Sequence, residues 1–225
     1  MSKKVMLSMV ILLVCVGFSF ICIVMLSNTK SQPTNDNIVK PKNALPIKYE
    51  KNSVTYVNGH VIVNKTLALP AKYKPGENKI AKKQLNKLLK QAEKRNLDLK
   101  ITSGYRNFES QSKVVDAFVE NDGEQKTAKY AAKPGHSEHQ TGLAFDVGTK
   151  QSLNDFHNDF EKTKEAHWLA NHAADYGFII RYPKGQSQDT GYAYEPWHLR
   201  YVGPQLAKVI KEKNTNLESY YHLNK

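Results

Sequence analysis

Cysteine is nearly absent from this sequence. The chain has two cysteines in 225 residues, Cys15 and Cys22, and both lie inside one apolar stretch near the N-terminus. Each follows a bulky residue, so neither resembles a lipidated cysteine, and both are expected to be ordinary residues of an apolar helix. Because no cysteine follows position 22, the rest of the chain forms no disulfide, and its stability must come from a hydrophobic core, with or without a metal.

Long apolar runs are also scarce, with a single exception at residues 5–26. These 22 consecutive uncharged positions follow Lys3 and Lys4, and as a helix they would extend roughly 33 Å. A signal peptide normally has a shorter apolar region and a small-residue cleavage site, so an uncleaved membrane anchor is favoured. The positive-inside rule places residues 1–4 in the cytoplasm and the remainder outside the membrane.

A polar, proline-containing segment at residues 27–48 is typical of a flexible tether, which leaves residues 49–225 as one folded domain. The net charge of +12 divides unevenly. Residues 1–48 carry +5, from six basic residues and one acidic residue, and residues 49–225 carry +7, from 27 basic and 20 acidic residues. A basic exterior suits an anionic envelope polymer, but solvated lysines explain it equally well. Nucleic acid is not expected as a partner, because no basic stripe is interleaved with aromatic residues.

The domain alternates between short strand patterns and amphipathic helices. Asn58-Gly59 separates two β-type runs and predicts a hairpin. Helices are predicted at residues 79–95, 107–119, 124–132, 160–176 and 205–213, and further strands at 97–102, 142–148, 178–181 and 198–202. Without regular βαβ alternation, this order indicates an α+β fold with a small central antiparallel sheet flanked by helices.

The segment 137–146, Ser-Glu-His-Gln-Thr-Gly-Leu-Ala-Phe-Asp, carries the first half of a metal-binding pattern. Residues 142–148 alternate, so the three apolar side chains share one face of a strand and Asp146 lies on the other. The neighbours of Asp146 on its face are glycine and alanine, which leave room for a metal and a substrate. His139 can return towards Asp146 from the preceding loop.

The second half of the pattern is Glu195-Pro196-Trp197-His198. Pro196 is expected to prevent a regular central strand or helix and to turn Glu195 and His198 towards one cleft. His139, Asp146 and His198 then form a three-ligand set suited to zinc, with one coordination position open. Glu195 is not needed as a ligand and can act as a general base, so the pattern is typical of a hydrolase.

Other arrangements of reactive residues are weaker. The S-x-x-K match at 110–113 and the S-x-N match at 152–154 lack an accompanying K-T-G, which disfavours a serine mechanism. His167 and His172 are five positions apart and do not share a helical face, so no H-E-x-x-H helix exists. His136 is expected to shape the loop before the metal ligands.

Three motifs resemble those of the VanY-type D-alanyl-D-alanine carboxypeptidases, which are zinc enzymes related in fold to the hedgehog N-terminal domain and to lysostaphin-type peptidases. They are Ser-Gly-Tyr-Arg at 103–106, S-x-H-x-x-G-x-A-x-D at 137–146 and Glu-Pro-Trp-His at 195–198. The resemblance covers residues 53–213 and implies zinc bound by His139, Asp146 and His198.

The resemblance also implies roles around the metal. Glu195 would be the catalytic base, and Arg106 would stabilise the oxyanion, a role that suits the forked donors of arginine. Trp197 is expected either to wall the substrate or to pack in the core with one exposed edge. The residues predicted to contact substrate are Arg106, Gln111, Ser137 and Trp197.

The anchor and the resemblance together imply a single-pass membrane protein of a Gram-positive bacterium with an extracytoplasmic zinc carboxypeptidase domain. Its expected substrate is the peptidoglycan stem peptide, from which it would remove the terminal D-alanine. An L,D-carboxypeptidase or a D,D-dipeptidase with the same zinc site remains open. A noncatalytic wall-binding module of the same fold is a further alternative, but such a module should lack the base, and Glu195 is present. The sequence does not distinguish glycopeptide resistance from wall maturation.

Overall fold

The N-terminal strands of the domain form a small three-stranded antiparallel sheet. We describe a computed structural model of the chain that covers residues 46–128 and 130–223, so the predicted anchor and most of the predicted tether lie outside the described residues. The strands are β1 (Lys48–Lys51), β2 (Val54–Val57) and β3 (His60–Val61). Val57 pairs with His60 across Asn58-Gly59, which both have positive φ, confirming the predicted hairpin.

No helix within the described ranges is long and apolar enough to cross a membrane.

A four-stranded antiparallel sheet forms the centre of the domain, which confirms the predicted α+β class. Its strands run in the order β4 (Leu99–Ser103), β5 (Ala144–Thr149), β7 (Glu195–Tyr201) and β6 (Phe178–Tyr182). The α-helices described are α1 (Lys79–Glu93), α2 (Phe108–Asp122), α3 (Glu124–Thr127), α4 (Phe156–Asp159), α5 (Lys164–His172), α6 (Ser187–Thr190), α7 (Pro204–Glu212) and α8 (Leu217–Tyr220).

The main core lies between this sheet and helices α1 and α5. The side chain of Asn78 caps α1 by accepting bonds from the backbone N–H groups of Ile80 and Ala81. The apolar stripe of α1 packs with residues of β5 and β7 in a cluster that includes Leu85, Leu88, Phe145, Val147 and Leu199, all of them fully buried. Because side chains alternate along a strand, Asp146 and His198 lie on the opposite face of the sheet.

Two predicted helices are shorter than their sequence patterns. The helix expected over 160–176 is divided into a 3-10 turn (Phe160–Lys162), α5 and a second 3-10 turn (Ala173–Tyr176). Thr163 interrupts it in an extended conformation, and its side chain caps α5 by accepting from Ala166 N–H. The helix expected over 124–132 ends at Thr127.

Strand β7 passes through Pro196, which the sequence predicts to prevent a regular central strand, and the strand is irregular at this point. Pairing with β5 ends at Asp146 opposite His198, so Pro196 lies beyond that ladder. On the other edge, the register with β6 shifts between Ile180 and Tyr182, which pair with Leu199 and Glu195. Because of this irregularity, the sheet requires no N–H hydrogen bond from Pro196, and the proline disturbs the strand only locally, at a bulge.

Gly142 joins the 3-10 turn Glu138–Thr141 to β5 at a point where no side chain fits. Its φ is +71°, and a Cβ atom there would lie 1.9 Å from the carbonyl oxygen of Gly76. The carbonyl of Gly142 also accepts a 2.9 Å bond from Asn78 N–H. This close approach fixes the turn that brings His139 back towards Asp146.

Candidate metal centre

Three predicted ligands meet on the side of the central sheet that lies opposite the main core. Asp146 on β5 lies directly opposite His198 on β7, so strand register places these side chains next to each other. His139 comes from the 3-10 turn Glu138–Thr141. One ligand atom from each of the three residues lies within 4.8 Å of the others, a separation that allows them to hold one metal ion.

His139 presents Nε2 to the centre. Its Nδ1 is 2.7 Å from the carbonyl oxygen of Gly104, which can only accept a hydrogen bond, so Nδ1 carries a proton and donates it. Nε2 is then free to bind a metal, and it lies 3.1 Å from Asp146 Oδ2. The side chain is buried, and this backbone bond fixes both the ring orientation and the tautomer.

His198 faces the centre with its other nitrogen. Its Nδ1 is 2.9 Å from Asp146 Oδ1, and its Nε2 is directed away from the centre, 3.5 Å from Glu138 Oε2. The ring of Tyr182 lies against it, with the ring centroids 5.1 Å apart. The two histidines therefore offer different nitrogen atoms to the same space.

The charges of the centre favour an anionic Asp146. Burial raises the pKa of its carboxyl group, but the interactions with His139 and His198 lower it by more, so the group stays ionised. Burial lowers the pKa of His139. Burial also opposes the charge on His198, yet its bond with Asp146 and the nearby carboxylate of Glu138 raise the pKa to about 9.

Glu195 lies beside the ligands and is not among them. Its Oε2 is 3.9 Å from His198 Nδ1, and the residue is 7% exposed. Burial, with a further contribution from Asp146, raises the pKa of Glu195 to about 7, although His198 and Arg106 act in the opposite direction. A carboxyl group that gains and loses a proton near neutrality is suited to general acid–base chemistry.

Arg106 is held at the edge of the centre by two side chains. Its Nε donates to Gln111 Oε1 at 3.0 Å and its Nη1 to Ser103 Oγ at 2.9 Å. Burial lowers the pKa of Arg106, and the nearby Asp146 and Glu195 raise it. Gln111 is itself fixed by a 2.7 Å bond from Nε2 to the carbonyl oxygen of Ala132. These bonds use two of the five guanidinium donors and leave the others for a ligand.

A cleft opens over the centre and contains every predicted site residue. Ser137 lines it and caps the 3-10 turn by accepting a bond from His139 N–H. Trp197 is 8% exposed, packs against Phe156 in the core and lines the cleft. The wider walls are aromatic, formed by Phe118, Tyr130, His157, Tyr182, Tyr192 and Trp197.

The residues of the weaker arrangements lie elsewhere. His136 Nδ1 is 2.7 Å from the carbonyl oxygen of Asn64, consistent with its expected part in shaping the loop. The ring of His172 lies against Trp168 of the same helix, outside the cleft. Sequence reasoning missed Glu138, although a buried arginine within the apolar strand Phe178–Tyr182 is a signal that an internal carboxylate must exist.

Comparison with known proteins identifies relatives in sequence and in structure. The family profile described as VanY, D-alanyl-D-alanine carboxypeptidase, matches residues 75–204. YodJ of Bacillus subtilis (strain 168) is 39% identical over 179 residues, which are 71% of this chain and 66% of that protein. The chain thus covers slightly less than two thirds of that relative's length.

Solved structures agree with the sequence match. The LdcB LD-carboxypeptidase is 41% identical with a TM-score of 0.71, and the match covers 79% of this chain and 96% of that one. A mutant of VanY, a vancomycin resistance D,D-pentapeptidase, in complex with Zn(II) is 30% identical with a TM-score of 0.61, covering 71% and 96%. The profile spans more than half of the sequence and includes all three predicted metal ligands and the adjacent glutamate, so this chain belongs to the VanY D-alanyl-D-alanine carboxypeptidase family.

Proposed function

We propose that this protein is a zinc-dependent carboxypeptidase that releases the C-terminal D-alanine of peptidoglycan stem peptides. The observation that carries the proposal is the meeting of His139, Asp146 and His198 with a buried, protonatable Glu195 in one cleft. Family membership and the wall-peptide enzymes among the similar structures support the substrate class.

The donor set fits zinc. Two imidazole nitrogens and one carboxylate are ligands that zinc accepts in catalytic sites, and three protein ligands leave a position open. His139 and His198 each direct the second ring nitrogen to an acceptor, which leaves the inward nitrogen available. When bound there, zinc would supply Lewis acidity to polarise a carbonyl group and acidify water.

The neighbouring side chains are proposed to transfer protons, stabilise charge and hold the peptide. Glu195 as the carboxylate can take a proton from the attacking water and later give it to the amino group of the departing D-alanine. Arg106 carries a fixed positive charge at the edge of the same cleft, so it can donate to the developing oxyanion or to the peptide's terminal carboxylate. Gln111 holds Arg106 in place. Ser137 and Trp197 line the cleft and are proposed to bound the peptide end.

The purified protein, loaded with zinc, is expected to release D-alanine from a stem pentapeptide. Product analysis by mass spectrometry, with a tetrapeptide and free D-alanyl-D-alanine in parallel, checks this result. Loss of one residue from the pentapeptide supports the D,D-carboxypeptidase. Failure to cleave any of the three substrates with zinc bound would contradict the proposed function.

An L,D-carboxypeptidase is the second candidate. The structure of the LdcB LD-carboxypeptidase is more similar to this chain than that of VanY, with TM-scores of 0.71 and 0.61 and identities of 41% and 30%. Both reactions would use the same metal and base, and they differ in the residue that precedes the scissile bond. Release of D-alanine from the tetrapeptide and not from the pentapeptide would favour this candidate.

Replacing Arg106 with lysine is expected to lower kcat by about 10²–10³-fold, the usual cost of losing an oxyanion donor. Lysine keeps the charge but cannot bond Gln111 and Ser103 while also directing a donor to the substrate. Steady-state D-alanine release measures the effect. Arg95→Lys makes the same change on an exposed residue beyond the cleft and should retain full activity, whereas a fully active Arg106→Lys would rule out this role.

We also propose that residues 5–26 hold the domain at the outer face of the cell membrane. The support is the uncharged apolar run behind Lys3 and Lys4, followed by a polar segment. Strand β1 begins at Lys48, the last residue of the predicted tether. Such an arrangement would place the cleft within reach of wall peptides.

A further inference from the structure

Behind the metal centre lies a buried cluster of four charged side chains. Glu138, Arg181, Arg200 and Glu218 each have 2% or less of their surface exposed. Glu138 Oε1 accepts from Arg181 Nε at 2.8 Å and from Arg200 Nη1 at 2.6 Å. Arg181 also donates to both carboxylate oxygens of Glu218. Two positive and two negative charges therefore balance, as burial requires.

One oxygen of this cluster is directed at a metal ligand. Glu138 Oε2 lies 3.5 Å from His198 Nε2, slightly longer than a normal hydrogen bond. Both atoms are buried, and within the described residues neither has a hydrogen-bond partner. Two buried polar atoms facing each other without any other partner indicate that a small inward movement completes a bond between them.

We infer that Glu138 is a positioning residue, which holds the proton of His198 on Nε2 and thereby presents Nδ1 to the metal. The inference rests on the proposed zinc site. A histidine that binds metal through one nitrogen commonly donates the other N–H to a carboxylate, which sets the tautomer and orientation of the ring. His139 obtains the same result from the carbonyl oxygen of Gly104, so the two ligands are fixed by different acceptors.

The arginines decide which oxygen of Glu138 faces His198. Both arginine donors converge on Oε1, so Oε2 alone remains for the imidazole. In a Glu138→Gln variant, the amide oxygen would stay with the arginines, and the NH₂ group would turn to His198. Facing a donor, Nε2 would become the acceptor, and the remaining proton of the ring would be held on Nδ1, the atom that must be free for the metal.

The experiment uses two double variants that keep the buried charge balanced. Glu138→Gln/Arg200→Met and Glu218→Gln/Arg200→Met each remove one negative and one positive charge from the cluster. Both lose the bond from Arg200 to the carbonyl oxygen of Val61, and they differ only in which glutamate remains. Because neither variant leaves a net buried charge, both are expected to fold, which thermal melting of the metal-free proteins checks.

Zinc affinity, measured by competition with a chromophoric chelator, is expected to be about 10–100-fold weaker in the Glu138 double variant than in the Glu218 double variant. The absorption spectrum of the cobalt-substituted protein should change in the first and match wild type in the second. Equal zinc affinities in the two variants would overturn the inference, because the cluster would then act only through stability.

A second readout does not require zinc. Nitrogen-15 NMR of the metal-free proteins reports which imidazole nitrogen carries a proton. Nε2 of His198 should be protonated in wild type and in the Glu218 variant, and unprotonated in the Glu138 variant. Protonated Nε2 in all three would refute the inference. Wild-type protein that binds no zinc would instead refute the proposed function, and the NMR comparison would still decide the part of Glu138.

Discussion

Replacing Glu195 with glutamine is expected to lower kcat for D-alanine release by about 10²–10⁴-fold while zinc stays bound. Glutamine has the same shape but cannot accept a proton from water at neutral pH. Glu195 is not one of the three residues whose donor atoms meet, so the metal should be unaffected. Enzyme assay and zinc analysis of the same sample measure the two results.

The control for this variant is Glu161→Gln, the same chemical change at a surface ion pair with Lys184 outside the cleft. It should retain wild-type turnover. The pH profile gives a second check, because the pKa of about 7 means that Glu195 loses its basic form as the pH falls. A bound cation lowers this pKa, so the acid limb of kcat/KM should lie at or below about pH 7. Normal turnover by Glu195→Gln would exclude it as the base.

Loss of a residue that only hydrogen-bonds to a metal ligand weakens metal binding by roughly 10–100-fold. Replacing Asp146, which is itself a proposed ligand, with asparagine is expected to weaken zinc binding by more than this. Asp146 supplies the negative charge of the centre, and its two oxygens lie 3.1 Å and 2.9 Å from the inward nitrogens of His139 and His198. Asparagine removes the charge and presents an NH₂ group to one of these nitrogens. Isothermal titration with zinc measures the change, and D-alanine release at limiting zinc should fall with it.

Asp175→Asn serves as the comparison, since Asp175 is exposed on the 3-10 turn Ala173–Tyr176 and outside the cleft. It should bind zinc as wild type does. Excess zinc should restore part of the activity of Asp146→Asn if the defect is one of affinity. Unchanged zinc affinity in Asp146→Asn would mean that the metal binds elsewhere, and it would remove the basis of the proposed mechanism.

Local patterns were sufficient to predict that His139, Asp146 and His198 lie close together. Alternation along β5 placed Asp146 on the face opposite the apolar side chains, and its glycine and alanine neighbours indicated the space before it. Asn78 and Asn107 cap α1 and α2, and each side chain accepts at least one bond from a backbone N–H group at the start of its own helix. Such features succeed because a period of two or a capping side chain depends only on nearby residues.

Long-range relations could not be predicted in this way. The course of β7 through Pro196 depends on where pairing with β5 stops and where β6 shifts register, and neither is visible in a local pattern. Glu138 likewise meets arginines 43 and 62 positions away. Charge pairing across such separations leaves no periodic mark in the sequence. The arginine in the apolar strand Phe178–Tyr182 signals that a carboxylate partner exists, but which glutamate it is becomes visible only once the sheet is assembled.

The register that sets Asp146 against His198 has a consequence for a domain without cysteine. The two residues are 52 positions apart in the chain, and a zinc ion between them would close that loop as a disulfide does. By the chain-entropy relation used for disulfides, a loop of this length corresponds to about 4 kcal/mol of stabilisation. In this protein, the ion proposed for catalysis would also cross-link strands β5 and β7, which have no cysteine to form a disulfide. Removal of zinc would therefore lower the stability of the sheet as well as the activity.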